Sequence, residues 1–271
     1  MRLNLPLTFT EKHPLTIGMV HLRPLPGSPK YSGEWGTVIE TAIADAKALE
    51  RGGVDAVMVE NFGDTPFFPG RVPPVTVAAM SVVTEKIRCA IELPLGVNVL
   101  RNDGESALAI AVVADASFIR VNVLSGARVT DQGVIQGSAH DLLRLRKHLN
   151  GEHVKILADV DVKHSAAVAV RPFAEELDDL VRRGGADAVI VSGSGTGAET
   201  SPQQIEEAIS VANGTPILVG SGVSATNLPE MPIGVGGLIV GTSFKRGGEV
   251  QEPVDEKRVA TFMRELRGRW N

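Results

Sequence analysis

Asp159-Val160-Asp161-Val162-Lys163 places two carboxylates and an ammonium at every second position of an apolar run from Leu157 to His164. On an extended strand these three share one face, with Ala158, Val160 and Val162 on the other. Burying such charges costs several kcal/mol unless they pair with each other, with Arg120, or with a ligand or metal. Carboxylates so placed can hold separated pKa values and work as acid and base. Lys163 can hold a carbonyl or phosphate oxygen, or form a Schiff base once desolvated. The structural alternative is an ion-pair ladder closing the end of the strand.

A second chemistry is written near the C-terminus. Ile217-Leu218-Val219 runs into Gly220-Ser221-Gly222, and Leu238-Ile239-Val240 runs into Gly241-Thr242-Ser243. In a (βα)₈ barrel the loops after strands seven and eight, with a short extra helix, commonly offer backbone N–H groups to a phosphoryl group, and glycine permits close approach. These six residues are the expected phosphate cradle.

The elements that must position both sets alternate along the chain. Eight apolar, strand-like runs are expected near Thr16–His21, Ala56–Asn61, Leu95–Leu100, Phe118–Val123, Lys155–Val162, Ala188–Gly193, Ile217–Gly220 and Leu238–Gly241. Helices are expected near Thr37–Arg51, Val75–Ala90, Glu105–Ala114, Ala139–Leu149, Ala174–Arg183, Pro202–Ala212, Ala225–Leu228 and Asp255–Arg267, the seventh cut short by Pro229 and Pro232. A chain of 271 residues, 43% hydrophobic and 4% aromatic, suits one α/β domain spanning 1–271: a (βα)₈ TIM barrel with an aliphatic core. Arg51-Gly52-Gly53-Val54-Asp55-Ala56 recurs as Arg183-Gly184-Gly185-Ala186-Asp187-Ala188, marking equivalent helix-to-strand joints after helices one and five. Internal duplication and a common type of junction explain the echo equally well.

Barrel parity then nominates the residues at the C-terminal mouth, where active sites of this architecture lie. They are His21 on strand one, Glu60 on strand two with Asn61 beside it, Asn98 on strand three, Arg120 and Asn122 on strand four, the strand-five trio, and Ser192 on strand six. Glu60, Asp159, Asp161 and Lys163 are the candidates for chemistry. Glu60 suits a general base or an acceptor for a sugar hydroxyl, with a salt bridge to Arg120 or Lys163 as the alternative. His21, Asn98, Arg120 and Asn122 are candidates for orienting a substrate. The glycine-rich loop from Ser192 to Pro202 adds the hydroxyls of Ser194 and Thr196 before Ser201 caps the next helix. Mg²⁺ on Glu60, Asp159 and Asp161 is the lesser alternative, because no metal-ligand spacing demands it and a neighbouring ammonium disfavours a cation. No cofactor is expected.

Composition narrows the partners. Lys+Arg 27 against Asp+Glu 32 leaves no basic surface for nucleic acid. A lone cysteine, Cys89, fits an intracellular, cytoplasmic protein, and its place in a helical stretch suggests a buried filler. Met1 to Pro14 has no apolar signal core, and no run approaches the ~18 apolar residues of a membrane span. The Pro-rich loop after strand two carries Phe62, Phe67 and Phe68, three of eight Phe; packing or an oligomer contact is expected there rather than ligand stacking.

The chain resembles the BtpA family, placed among the ribulose-phosphate-binding barrels. The resemblance rests on Ile17-Gly18-Met19-Val20-His21-Leu22 with Pro24-Leu25-Pro26-Gly27, on Val57-Met58-Val59-Glu60-Asn61-Phe62-Gly63-Asp64, and on Gly96-Val97-Asn98-Val99-Leu100. Phe118 to Val123, Ala158 to His164, Val191-Ser192-Gly193 and Thr196-Gly197 complete it. It implies a TIM barrel, a protein able to associate peripherally with membranes, and a link to photosystem I and membrane-complex biogenesis. It supplies no reaction. The lumen residues themselves suggest an enzyme acting on a phosphorylated sugar, nucleoside or related metabolite, a phosphosugar isomerase, lyase or nucleosidase, working as a homo-oligomer. A non-catalytic assembly factor and a metabolite sensor are the alternatives.

Overall fold

The computed structural model describes residues 5–10, 13–193 and 199–270. Eight parallel strands close into a barrel: β1 (Leu15–His21), β2 (Ala56–Glu60), β3 (Leu95–Asn98), β4 (Phe118–Val121), β7 (Lys155–Asp161), β9 (Ala188–Val191), β10 (Ile217–Val219) and β11 (Gly237–Val240). β1 pairs with both β2 and β11, which completes the ring. Helices α1 (Trp35–Gly52), α2 (Pro74–Arg88), α3 (Gly104–Val113), α4 (Ala139–His148), α5 (Phe173–Asp178), α6 (Pro202–Val211) and α7 (Glu256–Trp270) lie between the strands and after the last.

Alternation along each strand divides the apolar residues in two. Val20, Val57, Val59, Val97, Ile119, Ile156, Val189 and Val219 pack outward against the helices. Ile17, Met19, Ala56, Met58, Phe118, Leu157, Ala188, Ile190, Leu218 and Ile239 fill the lumen, with Leu7 packed among them. The lumen is therefore a packed core, as in other barrels of this size. Gly96 belongs to that packing: a Cβ there would lie 2.1 Å from Cε2 of Phe118, so the missing side chain makes room for the ring.

The two echoed joints are structurally equivalent. Gly53 (φ 90°) and Gly185 (φ 71°) take the left-handed conformation open to glycine at the end of a helix. The following aspartates each return to the preceding strand: Asp55 Oδ2 accepts from Thr16 N–H at 2.8 Å, and Asp187 Oδ2 from Ile156 N–H at 2.9 Å.

Two expectations are corrected and one feature is new. Cys89 is exposed rather than buried, at the end of α2 where the apolar face of the helix has turned away. Instead of a helical stub at Ala225–Leu228, a single 3₁₀ turn runs over Leu228–Glu230, with Pro229 inside it. The connection between β4 and α4 holds an unexpected hairpin, β5 (Ala127–Thr130) and β6 (Gly133–Gln136), joined antiparallel by β8 (Ser165–Ala167). The hairpin turns at Gly133 (φ 95°), and Val129 and Val134 are exposed on it.

Candidate active site at the barrel mouth

Strand register assembles a polar layer just above the lumen core. His21 sits opposite Glu60, Glu60 opposite Asn98, and Asn98 opposite Arg120, so four neighbouring strands present polar side chains at one level. Arg120 reaches β7 and grips Asp159 with two charge-assisted bonds, Nε to Oδ2 at 2.9 Å and Nη2 to Oδ1 at 2.7 Å. Asn122 Nδ2 donates to Asp159 Oδ2 at 3.3 Å and Ser192 Oγ to Oδ1 at 3.0 Å. Asn98 Nδ2 donates to Arg120 O at 3.0 Å and to Asn122 Oδ1 at 3.3 Å. Asp159, with its side chain fully buried, thus already accepts from three residues. That is the geometry of a clamp fixing Arg120 rather than of a free acid or base.

Asp161 departs from the expected parity. Between Asp159 and Asp161 the β7–β9 register slips: Asp159 faces Ile190, and Asp161 faces the very next residue, Val191. Such a bulge re-aims the following side chain. Asp161 accepts from Arg128 Nη1 at 2.9 Å on the outer hairpin, with 46% of its side chain exposed, and it does not line the cavity. Lys163, beyond the bulge, does.

The cavity at the mouth is about 610 Å³, within the range of small-molecule sites. His21, Glu60, Arg120, Asn122 and Lys163 line it, and so do Gly220, Ser221, Gly222, Gly241, Thr242 and Ser243. Asn98 and Ser192 do not line it; they bond to Asn122 and Asp159 of the same polar layer. Ser194 and Thr196 lie outside the described residues. Gly241 precedes a 3₁₀ turn, Thr242–Phe244, and the first N–H bonded within that turn is that of Phe244, to Gly241 O at 3.0 Å. A Cβ on Gly220 would lie 2.5 Å from Ile190 Cγ2, and one on Gly241 2.9 Å from His21 Cε1, so both glycines are required by close packing.

Burial sets the protonation states. Glu60 is pushed above the ordinary glutamate range by desolvation, opposed by the positive charges of Arg120, Lys163 and Arg101. His21 is held well below its ordinary value by burial first, then by Lys245, Lys163 and Arg120, and is neutral at pH 7. Its Nε2 is 3.8 Å from Glu60 Oε1. Lys163 is lowered by desolvation and then by Arg120.

Arg101, Lys245 and Asp64 carried no earlier assignment, and Phe62 and Phe67, expected only to pack or to make an oligomer contact, line the cavity. Arg101, directly after the expected end of strand three, lines the cavity and donates Nη2 to Lys163 O at 2.5 Å. Lys245 is buried beneath the Thr242–Phe244 turn and donates to Asp45 Oδ2 at 2.6 Å, tying that turn to α1. The Phe62 ring lies 4.7 Å from that of His21, so the loop after β2 contributes a wall of the site as well as the exposed Phe68. Asp64 holds that loop to the first by accepting from Leu25 N–H at 2.8 Å. Among the described residues no three His, Cys, Asp or Glu side chains converge as a metal-binding set.

The BtpA family profile matches residues 11–268. The chain belongs to the BtpA family. Among its BtpA-family relatives, a protein of Thermococcus kodakarensis is 52% identical over 248 residues, covering 92% of this chain and 93% of the relative. Photosystem I biogenesis protein BtpA of Synechocystis is 44% identical over 256 residues, covering 94% and 88%. Phosphoribosyl anthranilate isomerase from Thermus thermophilus shares the fold at a TM-score of 0.55 and 11% identity, over 93% of this chain and 98% of that one. Among the described residues of this BtpA-family barrel, no helix is long and apolar enough to cross a membrane.

Proposed function

We propose that this BtpA-family barrel binds a phosphorylated small metabolite, of the sugar- or nucleoside-phosphate kind, and acts on it by proton transfer. The observation that carries the reading is convergence: the glycine-rich ends of the adjacent strands β10 and β11 and the Glu60–His21 pair line one cavity. The phosphoryl group is assigned to the backbone of Gly220, Ser221, Gly222, Gly241, Thr242 and Ser243. A fold neighbour whose name specifies a phosphoribosyl compound supports the assignment by analogy.

Glu60 is assigned the proton. A carboxyl raised by burial keeps its proton where an exposed glutamate has lost it, so it can donate to a leaving oxygen and, once ionised, abstract from carbon or hydroxyl. His21, neutral and adjacent, can relay that proton. Isomerisation, glycosyl cleavage and carbon–carbon lysis all use such a step. Affinity selection from a metabolite extract, followed by mass spectrometry, tests the reading. Enrichment of phosphorylated compounds is expected, abolished in Gly222→Val; recovery of none would count against it.

A second reading is a non-catalytic assembly factor. The name of the Synechocystis relative and the exposed Val129 and Val134 on the outer hairpin favour it. In that case Glu60→Gln would leave partner binding unchanged.

A further inference from the structure

The cavity floor holds more positive charge than one phosphate cradle accounts for. Arg101 follows β3, Arg120 lies on β4 and Lys163 follows β7; in the ring, β3 and β4 stand across the lumen from β11 and β10. All three cations line the cavity. Arg120 lies against the Gly220 end of it, Nη2 being 3.6 Å from where a Cβ on Gly220 would sit, and its charge is matched by Asp159.

Arg101 and Lys163 are not matched. Among the described residues neither reaches a carboxylate oxygen within 4.0 Å. The Arg101 guanidinium, on a residue only 5% exposed, instead donates to the neutral backbone carbonyl of Lys163, which ties it to the segment that carries the second cation. No other carboxylate lining the cavity forms an ion pair with either of them: Glu60 lies beside His21 Nε2 instead, and Asp131 and Glu199 are exposed. Burial lowers Arg101 first, with Asp159 opposing and Arg120 adding to it; burial and then Arg120 lower Lys163, with Glu60 and Asp159 opposing.

We propose that the ligand is bis-anionic: its phosphoryl group occupies the β10–β11 ends, and a second anionic group, a carboxylate or a second phosphoryl, is held by Arg101 and Lys163 across the mouth. The inference rests on the phosphate reading above and adds the chemistry of the ligand's other end. Arg101, with its planar donor fork, supplies the directional contact, and Lys163 a point charge.

Calorimetric titration with two matched pairs of probes at fixed ionic strength tests it. Glycerol 3-phosphate and 3-phosphoglycerate differ by a carboxylate; ribose 5-phosphate and ribose 1,5-bisphosphate differ by a phosphoryl group. At least one bis-anion is expected to bind about tenfold or more tighter than its mono-anionic match, the effect of one charge-assisted contact. Arg101→Gln and Lys163→Met should each erase most of that advantage, lowering the affinity of the bis-anion more than that of its mono-anionic match. Two independent variants, each checked for a native thermal transition, guard against misfolding. If mono-anions bind and bis-anions gain nothing, or if the gain survives both variants, the inference is overturned and the phosphate reading stands. If none of the four binds, the phosphate reading falls and the inference with it.

Discussion

Asp159→Ala should be among the most damaging single substitutions in the lumen. It leaves the Arg120 guanidinium, with 3% of its side chain exposed, without a counter-charge, and strands the donors Asn122 Nδ2 and Ser192 Oγ. Breaking a buried, hydrogen-bonded pair from one side costs about 3–5 kcal/mol, and a stranded neutral donor about 1–3 kcal/mol where water cannot reach it. The terms share partners and do not add in full, so a loss of about 4 kcal/mol is expected. Asp161→Ala removes a carboxylate two residues away whose partner, Arg128, retains Glu176 at 2.9 Å, and should cost less than about 1 kcal/mol. Urea unfolding at pH 7 with unchanged m-values measures both. The double variant Arg120→Met/Asp159→Leu, which removes both charges, should recover much of the loss. Equal losses for Asp159→Ala and Asp161→Ala, or a double variant as unstable as the single, would refute the assignment of one aspartate to the clamp and the other to the rim.

Other outcomes follow from the same layer. Carbon-13 NMR of labelled glutamate should show Glu60 titrating above the ordinary range, and Lys163→Met should raise it further by removing a positive charge; a downward move would contradict the coupling. His21 takes up a proton less readily folded than unfolded, so its contribution to stability is fully present above its unfolded pKa and lost as pH falls through the folded value. Relative to His21→Asn, the wild type should therefore lose up to about 1.4 kcal/mol per pH unit below about pH 6.5, measured by urea unfolding across pH. Gly96→Ala would drive a methyl into the Phe118 ring and should cost about 1–3 kcal/mol, read from the urea midpoint.

The barrel was legible because its strands are apolar runs at regular intervals, and parity found His21, Glu60, Asn98, Arg120, Asn122 and Asp159 in the polar layer. Parity failed at Asp161 because one bulge residue, Val160, re-aims the side chain that follows it, and nothing in a Val between two Asp residues announces a bulge. The hairpin over Ala127–Gln136 is formed by strands of four residues each, too short for periodicity to stand out, although Asp131-Gln132-Gly133 is a turn signal. Arg101 lay just past an expected strand end. The pairing of Lys245 with Asp45 joins residues 200 positions apart, which spacing along the chain cannot reveal.

A crystal structure with ribose 5-phosphate bound bears most directly on the proposed site. The phosphoryl group should lie between Gly220–Gly222 and Gly241–Ser243, with the sugar toward Glu60. Phosphate density elsewhere on the barrel, with this cavity holding only water at saturating ligand, would contradict it.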